Sequence, residues 1–284
     1  MAEILKGAPV AAAMTSQMKK DVGVLREKGI EPTLAILRVG ERPDDLAYER
    51  GAMKRSEKAG VTVRNVVLPE EVSQEEFDRA LTALNEDASV HGILMLQPLP
   101  KHLDNEKARH MLAPEKDVDG CTDGSLAGVF TNTKTGFPPC TAQAAMEILH
   151  HYGVNVEGKR AAVIGRSLVV GRPVAMMLMH ENATVVNCHT RTADIPSITR
   201  QADILITAAG KLRSVTADFV KEGQIVIDVG INWDEESGGI TGDAVFDEVE
   251  PIVAAITPVP GGVGTVTSSV LVSHVIEAAK RAQQ

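Results

Sequence analysis

Near the middle of the chain, Ala161-Ala-Val-Ile-Gly-Arg-Ser-Leu-Val-Val-Gly-Arg-Pro-Val174 sets an apolar stretch before two glycines, a hydroxyl and two arginines. Residues 161–164 read as a buried parallel strand, and Gly165 and Gly171 bracket a turn. Pro173 suits the first position of a helix, where its missing N–H leaves nothing unsatisfied. Strand, glycine turn and helix start aim free N–H groups and the positive end of a helix dipole at a phosphate. The spacing is not G-x-G-x-x-G, so a plain strand–turn–helix connection stays open beside a nucleotide site. A second candidate is Lys116-Asp-Val-Asp-Gly120, where two aspartates one residue apart serve either as a turn device or as a substrate contact.

These residues need a scaffold, and hydrophobic periodicity describes one. Val10, Met14, Met18, Val22 and Leu25 recur at helical spacing and predict a helix over 8–28. Strands are expected at 33–39, 61–68 and 90–96, with helices over 46–59 and 74–85 between them. The first of these helices carries Tyr48, Arg50, Lys54 and Arg55, and Glu41-Arg-Pro-Asp-Asp45 before it reads as a loop whose acidic end caps it. In the second half, strands at 183–188, 203–207 and 224–229 follow the one at 161–164. Segment 234–242 reads as a surface excursion with a hairpin through Gly238-Gly239. Alternation of this kind implies an α/β fold with parallel sheets and right-handed crossovers. Active groups then belong beyond the carboxyl ends of strands, in loops 40–45, 97–102 and 116–120.

With 284 residues, 44% of them hydrophobic, the chain suits two ordinary domains and can bury a core in each. A formal net charge of −9 argues against nucleic acid or an anionic membrane as the partner. No apolar run is long enough to cross a bilayer, and the first residues lack the pattern of a signal peptide. Cys121, Cys140 and Cys188 are odd in number and include no C-x-x-C pair. Such cysteines suit a cytoplasmic protein and argue against a disulfide scaffold or a bound zinc.

Tyr48 early in a helix, Pro98-Leu-Pro100 after a strand and Lys116-Asp-Val-Asp-Gly120 occur in that order. Pro139-Cys-Thr141, Gly165-Arg-Ser167, Val170-Gly-Arg-Pro173, Asp228-Val-Gly-Ile-Asn232 and Thr257-Pro-Val-Pro-Gly-Gly-Val-Gly264 follow. Taken together, this ordered set closely resembles the methylenetetrahydrofolate dehydrogenase/cyclohydrolase family over nearly the whole chain. The resemblance implies two domains with a cleft between them. The first is a parallel α/β folate-binding catalytic domain over 1–140, completed by a C-terminal helix from 268, and the second a Rossmann-like NAD(P)-binding domain over 141–267. It further implies a homodimer that oxidises 5,10-methylenetetrahydrofolate to the methenyl form. By the same resemblance Asp119 holds the pterin ring, Tyr48 lies near the reacting carbon, and Pro260, Gly261 and Gly262 form a backbone wall beside the folate. Gly165, Arg166 and Ser167 bind the dinucleotide, and the turn at Ile231 meets its nicotinamide half.

Many members of the family also hydrolyse methenyltetrahydrofolate to the 10-formyl compound, with a lysine four residues after the tyrosine. Here that position is Ala52. At about 100° per residue Lys54 lies roughly 240° around the helix from Tyr48, a poor substitute. The family's V-Q-L-P-L-P is here Met95-Leu-Gln-Pro-Leu-Pro100, so Leu96 fills the glutamine slot and Gln97 is displaced by one. Since strand side chains alternate faces, that shift aims the amide elsewhere if the strand continues so far. The expectation is a dehydrogenase with weak or absent cyclohydrolase activity. The alternatives are a bifunctional enzyme in which Gln97 or Lys54 has taken over, and a folate- or nucleotide-sensing protein without catalysis.

For the coenzyme, the strand at 183–188 leads into His189-Thr-Arg-Thr192, with no carboxylate before Asp194 to grip a ribose 2′-hydroxyl. Thr190 and Arg191, joined by Arg166, better suit a 2′-phosphate. NADP is therefore expected ahead of NAD.

Overall fold

A computed structural model describes residues 1–283. β1 (Glu3–Ile4) leads into α1 (Gly7–Glu27), and β2 (Thr33–Val39), α2 (Pro43–Ala59), β3 (Thr62–Leu68), α3 (Gln74–Glu86) and β4 (Gly92–Met95) then alternate. The short helices α4 (Asn105–Met111) and α5 (Asp123–Thr131) precede α6 (Cys140–His151). A second alternating run contains β5 (Arg160–Ile164), α7 (Gly171–His180), β6 (Thr184–Cys188), α8 (Ile195–Thr199), β7 (Ile204–Thr207) and β8 (Ile225–Asp228). The hairpin of β9 (Asn232–Asp234) and β10 (Gly239–Thr241), then α9 (Phe246–Val249) and β11 (Ala255–Ile256), lead to α10 (Val263–Arg281).

The chain divides into two compact units. One comprises Ala12–Cys140 with the chain from Ser268 onward, the other Met1–Ala11 with Thr141–Thr267. The first eleven residues thus leave the folate-binding span expected for them. The cause is local: β1 pairs in parallel with β11, Glu3 against Ala255 and Ile4 against Ile256.

The unit beginning at Ala12 holds a parallel three-stranded sheet in the order β3-β2-β4. β2 is central, and its run of apolar residues is buried on both faces. Phe77, Leu81 and Leu84 of α3 pack against Leu37, Val39, Ile93 and Met95. α3 starts at a capping box in which Ser73 accepts from the Glu76 N–H and Glu76 accepts from the Ser73 N–H. Because β3 and β4 flank β2 on opposite sides, the loops after β2 and β4 meet at the topological switch point. There the Arg42 guanidinium donates to the Pro98 carbonyl at 2.6 Å.

The second unit holds a parallel six-stranded sheet in the order β1-β11-β8-β7-β5-β6. Its switch point lies between β5 and β7, as in a Rossmann-like fold. The hairpin through Gly238-Gly239 is present, with Trp233 paired to Ile240.

Three helix starts differ from the sequence reading. α2 begins at Pro43, so Asp44 and Asp45 lie in its first turn, with Arg42 at the cap making no side-chain bond to the helix N–H groups. Carboxylates there meet the positive end of the dipole rather than capping it from outside. α7 begins at Gly171, which puts Pro173 third, still among the N–H groups that have no partner within the helix. α10 begins at Val263 rather than near Ser268.

Behind α2 lies an ion pair between Arg38 of β2 and Glu49, 2.6 Å apart with both side chains under a tenth exposed. Asn65 of β3 donates to the second carboxylate oxygen of Glu49 at 3.0 Å. Glu49→Ala would leave the buried guanidinium without its counter-charge. Urea denaturation should show a loss of about 3 kcal/mol; a loss within experimental error would mean that the pair is solvated.

Candidate active site

Tyr48 and Asp119, 71 residues apart, meet directly: the phenol donates to Asp119 Oδ1 at 2.9 Å. Tyr48 is one residue before Glu49, so the Arg38 ion pair fixes the rotation of α2 that presents it. One turn further, Ala52 is fully buried, as is Ser56 another turn on. Lys54 is exposed and lines a surface groove with Arg50, Met53, Glu57, Val61 and Val63. Burial, followed by the charge of Asp119, pushes the Tyr48 pKa well above the usual phenol value, so the residue stays a donor. Asp119 is pushed up to about 6, chiefly by burial. The Tyr48 hydrogen bond opposes that shift, nearby Asp117 adds to it, and a hydrogen bond with Cys140 opposes it again.

The two aspartates divide the roles that the sequence left open. Asp117 is fully buried and gathers the Cys121 N–H at 3.1 Å, the Thr122 N–H at 2.8 Å and the Ser125 hydroxyl at 2.6 Å. It is the turn device. Lys116 leaves the site altogether, donating to the Leu84 and Asp87 carbonyls at the end of α3. The segment lies against β4 through a parallel bridge between Ile93 and Asp117. This close approach requires Gly92, where a Cβ would stand 2.5 Å from a Val118 methyl.

β4 ends at Met95, although the Leu96 N–H still bonds the Leu37 carbonyl. Leu96 is buried, so the glutamine slot is apolar. Gln97 lies past the strand, and its buried Nε2 has no hydrogen-bond partner among the described residues. A buried amide donor left so is costly unless a ligand or water completes it.

In the other unit the turn after β5 is tight. Gly165 has φ 133°, and a Cβ there would stand 2.3 Å from the Ala208 carbonyl oxygen. Only glycine fits. The Asn187 amide on β6 holds the Gly165 carbonyl at 2.6 Å, and the Ser167 hydroxyl accepts the Val170 N–H at 3.1 Å. Arg166, Ser167, Thr190 and Arg191 are all exposed. Neither arginine is held by an ion pair among the described residues. The arrangement fits a dinucleotide: a bare backbone approach beside a helix start, with two uncommitted cations on adjacent loops.

Asp243, which the sequence reading did not single out, and Asp228, which it quoted only as the start of a motif, organise the neighbouring loops. Asp243 is fully buried and accepts from the N–H groups of Ala209, Gly210 and Lys211, the Asn232 amide and the Thr207 hydroxyl. Asp228 accepts from the N–H groups of Gly230, Asp243 and Ala244. Its pKa is pushed up to about 6 by burial, against those three bonds and with Asp243 adding to the shift. Asp243 follows a segment that reads as surface, so no local signal marks it. Ile231, expected at the nicotinamide half, projects with 63% of its surface exposed. Pro260, Gly261 and Gly262 belong to this same unit, where the Gly7 N–H bonds the Gly261 carbonyl at 2.8 Å.

Comparison with known proteins gives the same order of two domains with other bounds at the ends: residues 5–11 fall in the first match and 268–283 in the second. Residues 5–119 match the description "Tetrahydrofolate dehydrogenase/cyclohydrolase, catalytic domain", and residues 139–283 match its "NAD(P)-binding domain". The chain is 52% identical over 279 residues to a bifunctional protein FolD of Carboxydothermus hydrogenoformans, covering 98% of this chain and 97% of that one. A crystal structure of bifunctional FolD, methylenetetrahydrofolate dehydrogenase/cyclohydrolase, from Campylobacter jejuni superposes with TM-score 0.95 at 40% identity, covering 99% of each chain. The Trypanosoma brucei dehydrogenase-cyclohydrolase, solved with NADP cofactor and inhibitor, gives TM-score 0.92 at 37% identity, covering 100% of this chain and 99% of that one.

Tyr48→Phe removes a hydrogen bond that favours the charged form of Asp119, so the carboxyl should titrate higher still. If the carboxylate must be ionised to act, activity should fall as the pH drops through about 6. The acid limb of kcat/KM should then move up by about half a pH unit or more in the variant. An unmoved limb would separate Asp119 from the step being measured.

Proposed function

Because the chain belongs to the tetrahydrofolate dehydrogenase/cyclohydrolase family, we propose that it oxidises 5,10-methylenetetrahydrofolate with NADP and hydrolyses the resulting methenyl compound to 10-formyltetrahydrofolate. The observation that carries this reading is the Tyr48–Asp119 contact at the carboxyl-end loops of the three-stranded sheet. Asp119 accepts from the amino and ring N–H groups of the pterin, as an ionised carboxylate does with two oxygens. Tyr48 holds its place beside the one-carbon bridge, and the unpartnered Gln97 amide turns to the bound folate.

Gly165, Ser167 and the start of α7 receive the pyrophosphate, Arg166, Thr190 and Arg191 the 2′-phosphate, and the turn at Ile231 the nicotinamide half. The bound coenzyme supplies the hydride acceptor. The residues around it need only align the donor carbon and exclude water.

A second reading, a dehydrogenase that stops at the methenyl compound, is favoured by one observation: Ala52 occupies the turn after Tyr48, and Lys54 lies in a groove on another side of α2. Water addition and ring opening require a proton to be taken and returned, and no lysine on that face of α2 is placed for it. The bifunctional description of a relative 52% identical supports the two-activity reading over this one.

Homodimer formation and a cytoplasmic location belong to the same proposal. In support of the first, β3 is an edge strand with much of its length exposed, Val67 by half. In support of the second, all three cysteines are free and no helix among the described residues is long and apolar enough to cross a membrane.

Mixing the protein with methylenetetrahydrofolate and NADP should produce reduced coenzyme, and added methenyltetrahydrofolate should decay faster than in buffer alone. Reduction with accumulation of the methenyl compound would select the second reading, and no reduction with NADP or NAD would leave a binding protein. For the coenzyme, Arg191→Ala should lower kcat/KM for NADP about 10- to 100-fold, the size of a lost charge-assisted bond, with a much smaller effect on NAD. Equal losses with both coenzymes would remove Arg191 from 2′-phosphate recognition.

A further inference from the structure

His274, on α10, lies behind the aspartate loop and takes no part in the chemistry described above. It is 4% exposed, and its Nδ1 is 2.8 Å from the Val118 carbonyl oxygen. A carbonyl can only accept, so Nδ1 carries the proton. Burial pushes the ring's pKa down to about 4, which keeps the imidazole neutral near pH 7. The Cys140 sulfur lies 3.2 Å from the same oxygen and 3.8 Å from Nδ1.

The histidine is itself fixed. Its ring stacks on Phe137 with centroids 4.8 Å apart and 28° between planes, and the Arg281 guanidinium lies 4.3 Å from the centre of the Phe137 ring. Arg281 also donates to the Gly136 and Lys134 carbonyls, which anchors the end of α10 to the segment carrying Phe137.

The held carbonyl belongs to the peptide that joins Val118 to Asp119. That unit is planar from one Cα to the next, so fixing its oxygen fixes the direction in which the chain enters Asp119. On the near side, Asp117 is locked by its three donors. On the far side, the Asp119 carbonyl accepts the Cys140 N–H at 3.4 Å. What remains is rotation of the peptide between these points, and the imidazole N–H opposes it. We propose that His274 is a positioning residue for Asp119: its Nδ1 donates to the Val118 carbonyl and sets the peptide plane that aims the folate-binding carboxylate. The proposal rests on the reading of Asp119 as the folate contact.

The test uses the full-length protein and steady-state kinetics with both substrates. His274→Phe keeps a ring against Phe137 and removes the donor. The KM for methylenetetrahydrofolate should rise about tenfold, the worth of one buried hydrogen bond, while the KM for NADP and the melting temperature move little. His274→Asn, whose amide can donate to the same oxygen, should recover most of that loss. A rise in both KM values together, or no recovery by asparagine, would reduce His274 to general packing and overturn the proposal. Asp119→Asn is measured alongside. If it leaves the folate KM unchanged, the reading of Asp119 fails and this proposal with it. If it raises the folate KM while His274→Phe does not, only the positioning role fails. Should the phenylalanine variant not fold, nitrogen NMR of the imidazole in the unaltered protein decides: a protonated Nδ1 supports the proposal, and a ring protonated only at Nε2 overturns it.

Discussion

The hydrogen bond from Tyr48 to Asp119 exists only because each partner is immobilised by groups behind it. A phenol and a carboxylate on loosely held segments would lose more in conformational freedom than one hydrogen bond returns. Here the ordering is already done. The Arg38–Glu49 ion pair sets the rotation of α2, and Asp117 closes the turn that carries Asp119. Remove either support and the contact becomes one option among several.

The same physical device recurs in the second unit. A loop at the carboxyl end of a parallel strand has N–H groups that no neighbouring strand can pair. A buried carboxylate, with two oxygens and about four lone-pair sites, satisfies several at once. Asp117 does this beside β4, and Asp228 and Asp243 do it beyond β7 and β8. The cost is desolvation, seen in the raised pKa of Asp228. Such loops are rigid without being part of a sheet, which suits surfaces that must align two reactants to within a fraction of an ångström.

Position 52 is a packing position of the first unit. A small buried side chain there packs α2 against its neighbours, whereas an ammonium would have to be desolvated and paired. The chain therefore gains packing on the face where the family resemblance implies an ammonium. Gln97 carries a buried amide donor with no partner among the described residues.

By itself the sequence determined a great deal: the α/β class, nearly every strand, the glycine turn at Gly165, the family, and the absence of lysine from the tyrosine's helix face. These are readable because periodicity, turn chemistry and helix geometry are local, repeating every two to four residues. It missed the start of α2 and α10 by a few residues, where Pro43 and the Val263 segment continue helices into what reads as loop. It carried no sign that residues 1–11 pack with the other unit, because the pairing of β1 with β11 joins segments some 250 residues apart. The division of labour between Asp117 and Asp119, the clamp made by Asp243 and the place of His274 against Val118 were decided by tertiary structure alone. In each case the deciding quantity is which donors reach which oxygen; those of Asp117 lie within eight residues, but the partners of Asp119, Asp243 and Val118 come from elements that no sequence window contains together.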